Sequence, residues 1–203
     1  MVAELILIRH GEIDANVKRL WHGTTDSELN QLGLRQAAAL GEKIHGKYPD
    51  ITKVYSSPLK RTMRTAEAVA GGLQEDPEPC LDLIEFGIGE LEGTSHSDLQ
   101  SVHGFFTQIA ESQDFALPGG ESVNVVSQRM NRAFKSLVAR HSGERIVLVG
   151  HGAAFGILLA SLLDGKPFPF FERHLSNTGI AHLRVADSVE LVSFDDTGHL
   201  DGL

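Results

Sequence analysis

One pattern, present twice, constrains the fold of this chain more than anything else in it. Leu5-Ile6-Leu7-Ile8 and Ile146-Val147-Leu148-Val149 leave no polar residue to face water. Each run therefore reads as a strand buried on both faces, the kind found in parallel sheets covered by helices. The first ends in Arg9-His10-Gly11-Glu12 and the second in Gly150-His151-Gly152. Open α/β sheets bind ligands at the carboxyl ends of their strands. A histidine at a glycine-flanked strand-to-helix turn also lies beside free helix N-terminal amides, which favour an anion. Arg9 adds a permanent cation whose planar fork suits phosphate or carboxylate. Two strands of one sheet, each ending in an imidazole, would converge on a single phosphoryl group.

The remaining sequence alternates in the same sense. Periodicity and turn residues predict strands at 4–9, 52–56, 79–84, 145–150, 179–186 and 189–194, and helices at 30–47, 58–72, 97–112, 121–141 and 152–163. Leu34, Ala37, Ala38, Leu40 and Ile44 recur near the period of a half-buried helix. Strands alternating with helices predict an α/β fold, a three-layer α/β/α sandwich around a mostly parallel sheet. A chain of 203 residues buries enough surface for one core, so a single domain over 1–203 is expected. Phe105, Phe106 and Ile109 read as a helical core stripe, and Gly165 to Phe171 as an irregular connection.

Charge is unevenly spread. Between Arg64 and Arg129 there is no lysine or arginine, while 12 of the 27 acidic residues fall there. The remainder holds all 18 basic residues and is net positive, so the two histidine strands lie in the positive part. This argues against nucleic acid as a partner. Cys80 is the lone cysteine, which suits a reducing cytoplasm. Glu4 interrupts the early apolar run, and no stretch reaches membrane-spanning length. A cytoplasmic enzyme without a membrane partner is expected; its oligomeric state is open, with a homodimer among the alternatives.

Further segments join the two histidine motifs in an ordered series. Asn16 follows the first, then Trp21-His22-Gly23-Thr24 with Asp26, Leu29 and Gly33. Ser56-Ser57-Pro58-Leu59-Lys60-Arg61-Thr62 comes next, with Thr65 and Ala66. Glu85-Phe86-Gly87 runs to Leu91-Glu92-Gly93, and Pro118-Gly119-Gly120-Glu121-Ser122 precedes Gly150-His151-Gly152. This series resembles the histidine phosphatase superfamily, the phosphoglycerate-mutase-like proteins, over nearly the whole chain. The resemblance implies a mixed sheet with one antiparallel strand and a phosphate site made by Arg9, His10, Arg61, His151 and Asn16. It implies Glu85 as proton donor, with His22, Gly23, Thr24 and Gly152 toward the substrate, and a lid at roughly 86–120. That lid is purely acidic, which weakens any leaving group bearing a carboxylate or further phosphates.

Cleaving a phosphate ester requires a nucleophile to approach a dianion, so cationic groups must offset the charge. Neutral His10 would attack phosphorus to form a phosphohistidine, its other ring nitrogen fixed by a backbone carbonyl. Arg9 and Arg61 would bind nonbridging oxygens, Asn16 would donate to one, and His151 would stabilise the equatorial charge. Glu85, beside apolar residues, would protonate the leaving alkoxide. Glu12 is a weaker candidate for that role and better placed to serve the following loop or helix start. Trp21 anchors its loop or walls the pocket. His96, His103, His174, His182 and His199 lack zinc spacing and read as surface or packing residues, so no metal and no cofactor are expected.

The expected reaction is hydrolysis of a small phosphorylated metabolite. A mutase is the alternative: members of the family that shuttle phosphoryl groups carry a longer, basic insertion before the second histidine, whereas the one here is short and acidic. A dinucleotide-binding module is a remote alternative, since Gly150-x-Gly152-x-x-x-Gly156 follows a strand and opens a helix.

Overall fold

A computed structural model describes residues 2–73 and 76–203. Strand β1 (Ala3–Arg9) precedes a short helix α1 (Asp14–Val17), then α2 (Gln31–Lys47), β2 (Ile51–Ser56), α3 (Lys60–Ala70) and β3 (Glu78–Pro79). Two short helices, α4 (His96–Ser101) and α5 (Phe105–Glu111), lead to α6 (Val123–Arg140). The chain closes with β4 (Arg145–Gly150), α7 (Gly152–Leu163), β5 (Ile180–Val185) and β6 (Val189–Asp196). The sheet order is β3-β2-β4-β1-β5-β6. All neighbouring strands pair in parallel except at β5, which is antiparallel to both β1 and β6. The sheet is mixed in the way the resemblance implies.

The two apolar runs build this layering directly. Successive strand residues point to opposite faces. Leu5, Leu7, Ile146 and Leu148 pack against Met130 and Phe134 of α6 and Phe155 and Leu158 of α7. Ile6, Ile8, Val147 and Val149 turn the other way, onto Leu40 and Ile44 of α2 and Ala66 and Val69 of α3. Burial of each such side chain contributes about 1.5–3 kcal/mol. The helices start where the sequence supplies caps: the Asn30 side chain accepts the Gly33 N–H and Ser122 accepts that of Val125.

Two expected elements differ. The strand at 79–84 shrinks to Glu78–Pro79, followed by a 3₁₀ turn at Leu81–Leu83. Pro79 has no N–H to extend a ladder. The carbonyls that a strand would pair instead take hydrogen bonds from Arg129, at Asp82, Ile84 and Glu85. The helix at 97–112 is two helices, α4 and α5, parted at Gly104, whose φ of 60° lies in the left-handed region. Among the described residues, no helix is long and apolar enough to cross a membrane.

Candidate active site

β1 and β4 lie side by side with Arg9 opposite Gly150, and the His10 N–H donates to the Gly150 carbonyl at 3.0 Å. The loops that follow therefore begin at one point on the sheet edge. The rings of His10 and His151 lie 5.3 Å apart, inclined by 63°. His10 is 4% exposed and His151 0%.

A carbonyl can only accept, so the 2.7 Å contact from His10 Nδ1 to the Gly11 oxygen puts the ring proton on Nδ1. Nε2 then keeps its lone pair. Burial, followed by the charges of Arg61 and Arg9, holds His10 well below the usual imidazole range, so it is neutral at neutral pH. Burial and Arg61 depress His151 in the same way. His151 Nε2 lies 2.8 Å from the Ser57 hydroxyl, while its buried Nδ1 has no partner. With the hydroxyl donating to Nε2, the remaining proton sits on Nδ1 and is available to an oxyanion.

The cations are held rigidly. Arg9 donates through Nη1 to the Leu175 carbonyl at 2.8 Å, leaving its buried Nε without a partner. Burial pulls it down to about 10, so it stays charged. Arg61 is fully buried, and its terminal nitrogens donate to the carbonyls of Thr25, Gly23 and His22. Only its Nε is unpartnered. Asn16 Oδ1 accepts from the Ile13 N–H and from Asn177 Nδ2, which leaves the Asn16 amide nitrogen for a ligand.

Glu85 is 8% exposed. Its carboxylate accepts the N–H groups of Phe86, Ala153 and Ala154. Ala153 and Ala154 lie in the first turn of α7, which His151 caps. The carboxylate's neighbours Phe86, Ala153 and Ala154 are buried apolar residues, and the sequence did not show that their three backbone donors face this group. Glu12 accepts from Asn30, the N-cap of α2, in keeping with its structural reading.

Arg9, His10, Asn16, His22 and Glu85 open onto one cavity of about 580 Å³. A sequence profile of the histidine phosphatase superfamily (branch 1) matches residues 5–196 of the chain. The chain belongs to this superfamily. A probable phosphoglycerate mutase (GpmB) of Salmonella typhi is 33% identical over 206 aligned positions, which cover 98% of this chain and 95% of that protein. A phosphoserine phosphatase from Entamoeba histolytica, solved with phosphoserine, is 29% identical with a TM-score of 0.87, covering 98% and 99% of the two chains. YhfR of Bacillus stearothermophilus is 28% identical with a TM-score of 0.86, covering 97% and 98%.

In this superfamily member, some expected residues stand behind the cavity wall. Gly23 is a packing residue, since a Cβ there would meet the Phe86 carbonyl at 2.3 Å. Thr24 is exposed, with its N–H on Glu92. Gly152 makes room for His174, whose Nε2 would lie 2.4 Å from an added Cβ. His96 and His174, read from sequence as surface or packing residues, are exposed and also line the cavity. The acids of the 86–120 segment, and Glu121 just after it, do not line it. Glu92 accepts the N–H groups of Gly23, Thr24 and Thr25, and Glu121 pairs with Arg129. Glu90, Asp98, Glu111 and Asp114 face solvent.

Sequence reasoning gave no role to Glu92, Ser57 or Asn177. Glu92 clamps the loop whose carbonyls hold Arg61. Ser57 orients His151, and Asn177 binds both the His10 carbonyl and Asn16. Glu92 and Ser57 lie inside recognised motifs, but only their partners distinguish them from solvated neighbours. After α7 the chain enters a 3₁₀ turn and then the antiparallel β5, so the second βαβ unit of a dinucleotide fold does not follow.

Proposed function

We propose that this protein hydrolyses phosphomonoesters through a phosphohistidine on His10. The observation that carries this reading is the Nδ1 hydrogen bond to Gly11, which leaves a neutral Nε2 beside a second buried imidazole. In the first step the Nε2 lone pair bonds to phosphorus, and the bond to the ester oxygen breaks as Glu85 donates its proton to that oxygen. In the second step water attacks phosphorus, gives a proton to Glu85 and releases His10 Nε2. The unpartnered Nε atoms of Arg9 and Arg61, His151 Nδ1 and the Asn16 amide hold the phosphoryl oxygens through both steps. The 86–120 segment serves as the lid, since it supplies His96 and Phe106 to the cavity. No step needs a metal, and the expected product is inorganic phosphate.

Transfer back to a second hydroxyl, as the name of the Salmonella relative implies for that protein, is the competing reading. A mutase must retain a charged acid while it reorients. Among the described residues, Arg9 is the only lysine or arginine lining this cavity, and it belongs to the phosphate end. Hydrolysis is therefore favoured. Rapid quenching with radiolabelled aryl phosphate should trap label on His10, and phosphate should be released without a bisphosphoglycerate primer. Isomer formation that depends on the primer, with no phosphate released, would overturn the hydrolytic reading.

A further inference from the structure

The cavity wall away from His10 is aromatic. Phe106 comes from α5 and Phe171 from the segment after α7, and their rings meet at 5.5 Å. Phe170 stacks beside Phe171 at 4.1 Å, and Trp21 extends the wall toward His96 at 5.5 Å. Phe171 remains 43% exposed at the opening. Among the described residues, no charged side chain apart from Arg9 and Glu85 lines the space. A carboxylate or ammonium on the leaving group would lose water there and meet no opposite charge beyond the phosphate end. A flat ring would find edges and faces to pack on. Away from His10 and Asn16, the imidazoles of His22, His96 and His174 provide the remaining polarity. Neither His96 nor His174 makes a side-chain hydrogen bond among the described residues. Although the His174 ring opens on the cavity, the surrounding protein and Arg9 lower it to about 4, so it is neutral in the working range.

We infer that the site takes phosphomonoesters of uncharged, ring-bearing alcohols. The ring seats against Phe106 and the exposed Phe171, backed by the nearly buried Trp21 and Phe170, and a neutral hydrogen-bonding group reaches His96 or His174. The volume of about 580 Å³ matches ligands larger than a three-carbon acid. This inference rests on the hydrolytic reading for the reaction, but its selectivity stands on the walls alone.

The test compares 2-phenylethyl phosphate with ethyl phosphate and phosphoserine, all alkyl esters, by kcat/KM for phosphate release. The ring ester should lead ethyl phosphate by about 10–100-fold, the range expected for burying one aromatic ring. Phosphoserine should fall below ethyl phosphate. Phe106→Ala and Phe171→Ala should each reduce the ring-to-ethyl ratio, which is read within one preparation and so is insensitive to a partly folded fraction. Calorimetric binding of the same esters to His10→Ala should give the same order without turnover. Turnover with no preference for the ring, or with phosphoserine preferred, overturns the inference and leaves hydrolysis intact. Preferential binding of the ring ester with no phosphate released from any ester removes hydrolysis and leaves the selectivity standing. Equal binding of all three esters to His10→Ala overturns it as well.

Discussion

At one end of the cavity, Arg9, His10 and His151 sit on or just beyond the last residues of two adjacent central strands. At the other, Trp21, Phe106 and Phe171 are carried by loops and a seven-residue helix that pair with no strand of the sheet. At the first end the acceptors and donors of the protein are almost fully assigned, and among the described residues the unpartnered buried side-chain atoms are Arg9 Nε, Arg61 Nε and His151 Nδ1, with His199 Nδ1 elsewhere. At the second, contact is by ring faces, which tolerate many shapes. On the proposed reading, the chemistry is held at the sheet edge, and selection among substrates would fall to segments that can change without disturbing it.

The sharpest way to break this contrast is His10→Ala, which should cost on the order of 10³–10⁶-fold in turnover on every ester. Residual activity with one class of ester would mean that a second nucleophile exists. Glu85 sits at the boundary between the two ends. Glu85→Gln should slow alkyl phosphates by about 10²–10⁴-fold, but p-nitrophenyl phosphate far less, because that leaving group needs little protonation. Equal losses on both would take Glu85 out of the acid role.

Glu92→Gln probes the support of the phosphate end. Glu92 is a positioning residue that acts through the Arg61 loop. Its loss should lower kcat/KM by about 10–100-fold, the worth of a charged hydrogen-bond acceptor. The loss should be equal for ring and non-ring esters. A change in their ratio would show that the two ends are coupled.

A smaller effect concerns pH. His10 and His151 are depressed below 6.5 when folded, so the unfolded chain takes up protons first as pH falls. Their contribution to stability is present above about pH 6.5 and is lost below it. The melting temperature should fall by a few degrees between pH 7.5 and 5, at about 2–4 °C per kcal/mol. His10→Ala should shrink that fall. An identical fall in this variant would place the titration elsewhere. Least of all, strong chelators should leave turnover unchanged, and loss restored by added metal would contradict the scheme.

The same contrast explains what was legible in the sequence. Leu5–Ile8 and Ile146–Val149 are apolar on both faces, so the sheet, its layers and the placement of His10 and His151 follow from residue type alone. Segment 79–84 misled because its β-like composition is overridden by Arg129, a partner more than 40 residues away that takes its carbonyls. His96 and His174 read only as surface or packing residues because they come to the cavity from separate segments, the start of α4 and the turn after α7, which leaves no spacing to read. The acidic run bears less directly on the leaving group than its sequence suggests, because its carboxylates face solvent or backbone N–H groups. Among the described residues, the cavity wall itself carries no cation beyond Arg9, and that could be read only from the packing.

Glu85 hangs from the opening turn of α7, and His151 caps that same turn. In the proposed mechanism, the proton source and the group facing the equatorial oxygens are therefore tied to one helix turn. On that scheme the span from acid to phosphorus would stay fixed while drift in the aromatic mouth retargeted the enzyme.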